Sequence, residues 1–175
     1  MVSEAAVERT ENGLAPKGEG WYVLNAREAS WWHRNELGHA CTFEEEGRFE
    51  RFGINVRVLQ PGEPACLYHA EDEQEDFLVL AGACLLLVEG QERLLRQWDF
   101  VHCPPWTAHV FVGAGDGPCA ILMVGSRTGG AVVYPVSEIA VQHGAGVERE
   151  SRNPREAYAG FGSYVPAPYP GGLPG

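Results

Sequence analysis

Two histidines and a cluster of carboxylates stand where they could share one small site. The stretch YHAEDEQEDF, Tyr68 to Phe77, is half acidic and leads directly into the apolar run LVLAGACLLLVEG. His69 and Glu71 are two residues apart, the spacing that puts both side chains on one face of a strand. Glu75 follows four residues after Glu71, where the apolar strand begins, and His109 opens a second apolar run, VFVG, after CPPWTA. Two imidazoles with one or two carboxylates can hold a single metal ion and leave positions open for water or substrate. The plainer reading is a solvated acidic face. On either reading Asp72, Glu73 and Asp76 are expected to face water.

Convergence of such residues requires neighbouring strands, and strands dominate the chain. FGINVRVLQPGEP alternates Ile54, Val56 and Val58 against Asn55, Arg57 and Leu59 before stopping at Pro61-Gly62. DFLVLAGACLLLVEGQERLL reads as two strands around Ala81-Gly82 and a turn at Glu89-Gly90-Gln91. DFVHCPPWTAHVFVGAGDGPCAILMVGSR reads as three more, broken by Pro104-Pro105 and GAGDG, and GGAVVYPVSEIAVQHGAGV suggests a further pair. NAREASWWHRNELG is expected to hold a short helix, and NPREAYAGF another turn or two. Many short strands with Gly/Pro turns predict an all-β sandwich or barrel. Residues 1–20 read as a flexible acidic tail, and YVPAPYPGGLPG as an extended Pro/Gly-rich arm.

The segment from Gly62 to Gly113 resembles the two motifs of the cupin superfamily. The first runs Gly, H-x-H, Glu, Gly; here it reads Gly62, His69-Ala70-Glu71, Glu75 and Gly82, with Glu71 in place of the second histidine. Counting the longer motif spacing back from Glu75 instead puts Tyr68 and Ala70 at the histidine positions. The second motif runs G-D, a strand, P-x-G and His; here it reads Trp98-Asp99, FVHC, Pro104-Pro105-Trp106 and His109. The resemblance implies a cupin-type double-stranded β-helix, or jelly roll, as one domain over residues 21–150. Its motif core would span 54–125, with a short helical N-terminal segment and a C-terminal extension over 151–175. It implies metal ligation by His69, Glu75 and His109, with Glu71 fourth by position only, and one divalent Fe, Mn, Zn or Ni ion. Trp98 and Trp106 replace motif glycines, so both turns are expected to differ locally from the family's, because tryptophan tolerates positive φ poorly. Trp106 is expected to cap the barrel mouth and contact substrate. His102 reads either as a further substrate contact or as a satisfied core histidine.

Composition limits the partners. A formal charge of −11 with no offsetting basic patch argues against nucleic acid and anionic membrane surfaces. No apolar run is long enough to span a bilayer and the N-terminus lacks signal-peptide order, so a cytoplasmic location is expected. Five spread cysteines (Cys41, Cys66, Cys84, Cys103 and Cys119) suit reduced, buried thiols. Two functions fit. One is a small-molecule metalloenzyme of dioxygenase, isomerase or lyase type, with Glu71 or Glu75 as ligand or proton acceptor. The other is a non-catalytic ligand-binding or sensing barrel with a lost or altered metal site. Single-barrel cupins commonly dimerise, and both terminal segments could embrace a partner, so a homodimer is expected.

Overall fold

A computed structural model describes residues 1–44 and 49–174. The first strands are β1 (Ala6–Thr10), β2 (Gly13–Lys17), β3 (Trp31–Arg34), β4 (Leu37–Thr42) and β5 (Phe52–Leu59). The motif region follows as β6 (Ala70–Glu71), β7 (Glu75–Ala81), β8 (Ala83–Val88), β9 (Gln91–Arg96), β10 (Phe100–Cys103), β11 (His109–Ala114) and β12 (Cys119–Ser126). The chain closes with β13 (Val132–Val133), α1 (Glu138–Gln142), α2 (Pro154–Ala157) and β14 (Val165–Ala167). One sheet runs β10-β7-β12-β5-β4-β3-β14 and faces a second, β11-β8-β9; β1-β2 and β13-β6 form small ladders. Every strand pair among the described residues is antiparallel, as expected of a jelly roll.

Side-chain alternation divides the long sheet into two buried faces. Leu59, Phe77, Val79 and Ile121 pack inward against Cys84, Leu86 and Phe111 of the short sheet. The alternate set, Val56, Val58 and Ala120, packs outward beneath Ala29, Trp31 and Cys41. Tyr169 and Leu173 of the C-terminal arm complete that outer layer. Covering apolar area on both faces drives this, at about 25 cal/mol per Å² removed from water. All five cysteines are free thiols, four of them fully buried.

Several expectations are corrected. Residues 1–20 are not a tail: β1 and β2 form a hairpin across Glu11-Asn12, docked on the segment before β3 through Leu14 N–H to Glu28 O at 2.7 Å. Gly13 allows that approach, since a Cβ there would overlap the Ala29 carbonyl. The N-terminal helix is also absent: Trp31–Arg34 and Leu37–Thr42 pair as strands, and Trp31 is fully buried with its indole N–H on the Ala26 carbonyl at 2.9 Å. Burial of an aromatic strand former outweighs the weak helical signal there. The expected second strand after Val132–Val133 is instead α1, capped by the Ser137 hydroxyl, which accepts from Ala140 N–H. The short helix expected in NPREAYAGF is α2. The Pro-rich arm is extended, and β14 pairs with β3 of its own barrel.

The tryptophan turns hold the largest surprise. Trp98 and Trp106 both adopt positive φ, 75° and 69°. Backbone hydrogen bonds fix both, from Trp98 N–H to Val79 O at 2.8 Å and from Trp106 N–H to Glu71 O at 2.6 Å. Each turn therefore holds an L-residue in the left-handed region, at a cost of about 1–2 kcal/mol.

Candidate metal centre

His69 and His109 face each other across an isolated antiparallel bridge. Their backbones exchange both hydrogen bonds, His109 N–H to His69 O at 2.9 Å and His69 N–H to His109 O at 3.2 Å. Directly opposed residues project to the same side of a sheet, and the two imidazole centroids lie 5.2 Å apart. The first residue of β7, Glu75, brings its carboxylate to 3.4 Å from His109 Nε2. One donor atom each from His69, Glu75 and His109 lies within 4.8 Å of the others. Tyr68 and Ala70, the positions of the alternative count, pack into the core.

The rings are oriented by backbone carbonyls, each two residues upstream. His69 Nδ1 lies 2.8 Å from Leu67 O and His109 Nδ1 lies 3.0 Å from Thr107 O. A carbonyl only accepts, so both Nδ1 atoms carry protons and both Nε2 atoms are the ones available to a metal. This is the outer-shell arrangement that metal-ligating histidines require. The 3.4 Å between His109 Nε2 and Glu75 Oε2 matches the edge of a tetrahedron about an ion with roughly 2.1 Å bonds. The three residues fit a small divalent ion, and two imidazoles with one carboxylate suit Fe(II), Mn, Zn or Ni.

Burial and mutual charge set the protonation of the three residues. Burial pushes the Glu75 carboxyl up to about 7, with Glu71 raising it further and His69 opposing. Burial also lowers His109 to about 4, aided by His69. For His69, burial opposes protonation, but Cys66, Glu71 and Glu75 favour it and prevail, so its pKa is raised. A metal entering the site therefore displaces protons.

Glu71 lies beside the three rather than among them. Its carboxylate is 3.5 Å from His69 Nε2, and its side chain is 37% exposed against 18% for Glu75 and 3% for His109. The centre opens into a cavity of about 780 Å³ between the sheets, lined among others by Asn55, Arg57, Phe77, Met123, Tyr134 and Tyr158. Burial pushes the Tyr134 phenol up to about 12, leaving it a neutral donor at ordinary pH.

The two expected substrate contacts lie elsewhere. His102 sits on the outer face of β10, half exposed, with Nδ1 2.7 Å from Asp76 Oδ1. The even alternation of β10 sends Cys103 inward and His102 outward. Trp106 is 48% exposed on its turn, and neither residue lines the cavity. The acids expected in water are also partly engaged. Glu73 accepts from the Ser126 and Thr128 hydroxyls and Gly129 N–H, and Asp72 accepts from Gly130 and Ala131 N–H at 2.9 Å each. They fasten the 126–131 loop to the rim. Asn55 and Arg57 escaped the sequence reading although their even spacing with Leu59 was visible. Nothing in the alternation shows which face of a doubly covered sheet looks into the barrel.

Residues 55–125 match the family described as the cupin domain. No curated protein matches the chain significantly. Among solved structures, it is 28% identical to a protein from Acidithiobacillus ferrooxidans, covering 47% of this chain and 54% of that one at a TM-score of 0.44. A cupin-superfamily sugar phosphate isomerase from Silicibacter pomeroyi is also 28% identical, with 54% and 62% covered and a TM-score of 0.48. The alignments thus span less than two thirds of either relative's length. The polyketide cyclase RemF from Streptomyces resistomycificus is 17% identical, with 64% and 83% covered and a TM-score of 0.55, a likeness of fold alone.

Proposed function

We propose, from the match of residues 55–125 to the cupin domain, that this chain is a metal-dependent enzyme of isomerase or lyase type acting on a small polar molecule in the barrel cavity. The observation that carries the reading is the convergence of His69, Glu75 and His109 within 4.8 Å, with both imidazoles oriented through Nδ1. When bound by these three residues, a divalent ion supplies Lewis-acid polarisation of a substrate oxygen.

The chain's own groups supply the rest. Glu71 stands outside the three, next to His69 and open to the cavity, and is positioned to take a proton from bound substrate. The Phe77 ring lies 5.1 Å from that of His109 and 4.7 Å from the tilted ring of Phe111, an apolar floor that limits water around the reacting groups. Tyr134, its ring 5.9 Å from that of His69, closes the opposite wall.

Metal content of the untagged protein, measured beside His69→Ala, Glu71→Gln and His109→Ala, tests the reading. Loss in both histidine variants with retention in Glu71→Gln supports it. Loss in Glu71→Gln would make Glu71 a ligand rather than the proton acceptor. Loaded protein that turns over no substrate in isomerase and lyase screens would favour a non-catalytic binding barrel.

A further inference from the structure

Two polar side-chain atoms on residues of the cavity wall are buried without a hydrogen-bond partner, Asn55 Oδ1 and Arg57 Nη1. Both residues lie on the inward face of β5, which also carries Leu59 into the core between the sheets. Strand register fixes their distance from the metal centre. Glu75 on β7 stands opposite Gly125 on β12, and Gly125 stands opposite Gly53 on β5. In the same way Phe77, Met123 and Asn55 share the next row, and Val79, Ile121 and Arg57 the row after it. Asn55 and Arg57 therefore stand two strands from Glu75 and two and four residues along, so their backbones lie roughly 12 and 17 Å from that of Glu75. The row joining Glu75 to β5 consists of Gly125 and Gly53, with the Arg127 guanidinium lying over Gly53.

Arg57 is also short of partners as a cation. Its side chain makes one hydrogen bond, from Nη2 to the Tyr164 hydroxyl at 3.2 Å, with the guanidinium 5.8 Å from that ring. No carboxylate pairs with it among the described residues. Arg127, the other arginine on the cavity, differs: Nη1 and Nη2 donate to Glu44 at 2.9 and 2.6 Å, and Nη1 also to Phe49 O. Its charge is already matched. A guanidinium largely withdrawn from water without a counter-charge is costly to keep, and a ligand that supplied the charge would recover that cost.

We infer that Arg57 and Asn55 form an oxyanion subsite, and that the cavity takes a small hydroxylated acid. The carboxylate or phosphate lies at Arg57, whose planar fork matches either group. A hydroxyl beside it donates to Asn55 Oδ1, and the remaining carbons extend past Asn55 toward His69, Glu75 and His109. This deepens the proposed function by giving its substrate class, and it rests on that reading of the cavity as the ligand site. The subsite itself needs no metal.

Calorimetric titration of the full chain with glycerate, glycerol 3-phosphate and glycerol tests it, since these share a polyol skeleton and differ in the anion. The expected result is binding of at least one acid and none of glycerol, with the tighter acid identifying carboxylate or phosphate as the preferred group. Arg57→Met should weaken the acid at least about tenfold, the range for a charge-assisted hydrogen bond, and Arg57→Lys should retain part of it. Circular dichroism melts show whether each variant is folded. Equal binding of glycerol, an Arg57→Met variant that binds as wild type does, or no binding of either acid overturns the inference. Repeating the titration after EDTA treatment separates the two readings. A protein that never holds metal yet binds acid through Arg57 sinks the enzyme proposal alone, and stoichiometric metal without acid binding sinks this inference alone.

Discussion

Replacing Glu75 with glutamine should stabilise the metal-free protein while abolishing its response to metal. The Glu75 side chain is only 18% exposed, and burial moves its carboxyl from an ordinary 4.5 to about 7. The folded state therefore holds this proton more tightly than the unfolded state does. Between those values the unfolded chain binds fewer protons, so stability falls as pH rises. The stability this group contributes is fully present below 4.5 and lost as pH passes about 7, a change of about 3 kcal/mol. Glutamine keeps the shape and cannot ionise, so at about pH 8 the metal-free variant should exceed wild type by up to about 3 kcal/mol. Loss of a carboxylate neighbour for His69 offsets part of that gain. For a domain of this size the difference is a rise in Tm of roughly 6 to 12 °C. The assay is a thermal melt in EDTA at both ends of the pH range, repeated with added zinc. Zinc at about a hundred times its Kd should raise wild type by about 2.7 kcal/mol and leave the variant unmoved. A glutamine variant no more stable than wild type in EDTA at high pH, or a gap that persists at pH 4.5, would refute the reasoning.

Metal affinity should rise with pH, because Glu75 near 7 and the raised His69 must both shed protons; chelator competition should show Kd falling at least about tenfold from pH 6 to pH 8, and a constant Kd would contradict this. His102→Ala should leave metal content unchanged, since that ring is paired with Asp76 on the outer face; loss of metal would relocate the site. At Trp106, where φ is 69°, glycine should be better tolerated than valine by about 1–2 kcal/mol in chemical denaturation, and equal stabilities would mean that the turn relaxes. The homodimer proposed from the family resemblance requires twice the 19.1 kDa chain mass by light scattering, and a single-chain mass would contradict it.

The motif half of this chain was largely legible, and for a physical reason. Its strands are punctuated by Gly/Pro turns, and the ligand residues sit at spacings set by strand alternation and by the bridge between His69 and His109. The terminal segments were not. Asn12-Gly13 carried a turn signal, but the hairpin around it has little apolar content of its own and is fixed by docking on the chain before β3. WWHR lies in a stretch that suits a helix, and only the groove that buries Trp31 decides for a strand. The polar lining of the cavity was hidden differently. Val56 and Val58 look like the core-facing set of β5, yet they pack beneath the terminal segments while Asn55 and Arg57 look inward. In a sheet covered on both sides, hydrophobicity marks burial without telling which side is the barrel's interior.

Metal content of the untagged protein, by mass spectrometry of wild type beside His109→Ala, bears most directly on the central claim. The structure predicts near-stoichiometric divalent metal in wild type and its loss in the variant, since His109 offers Nε2 from a fixed ring beside Glu75. A wild type that carries no metal and cannot be reloaded, or a variant that keeps it, would contradict the account.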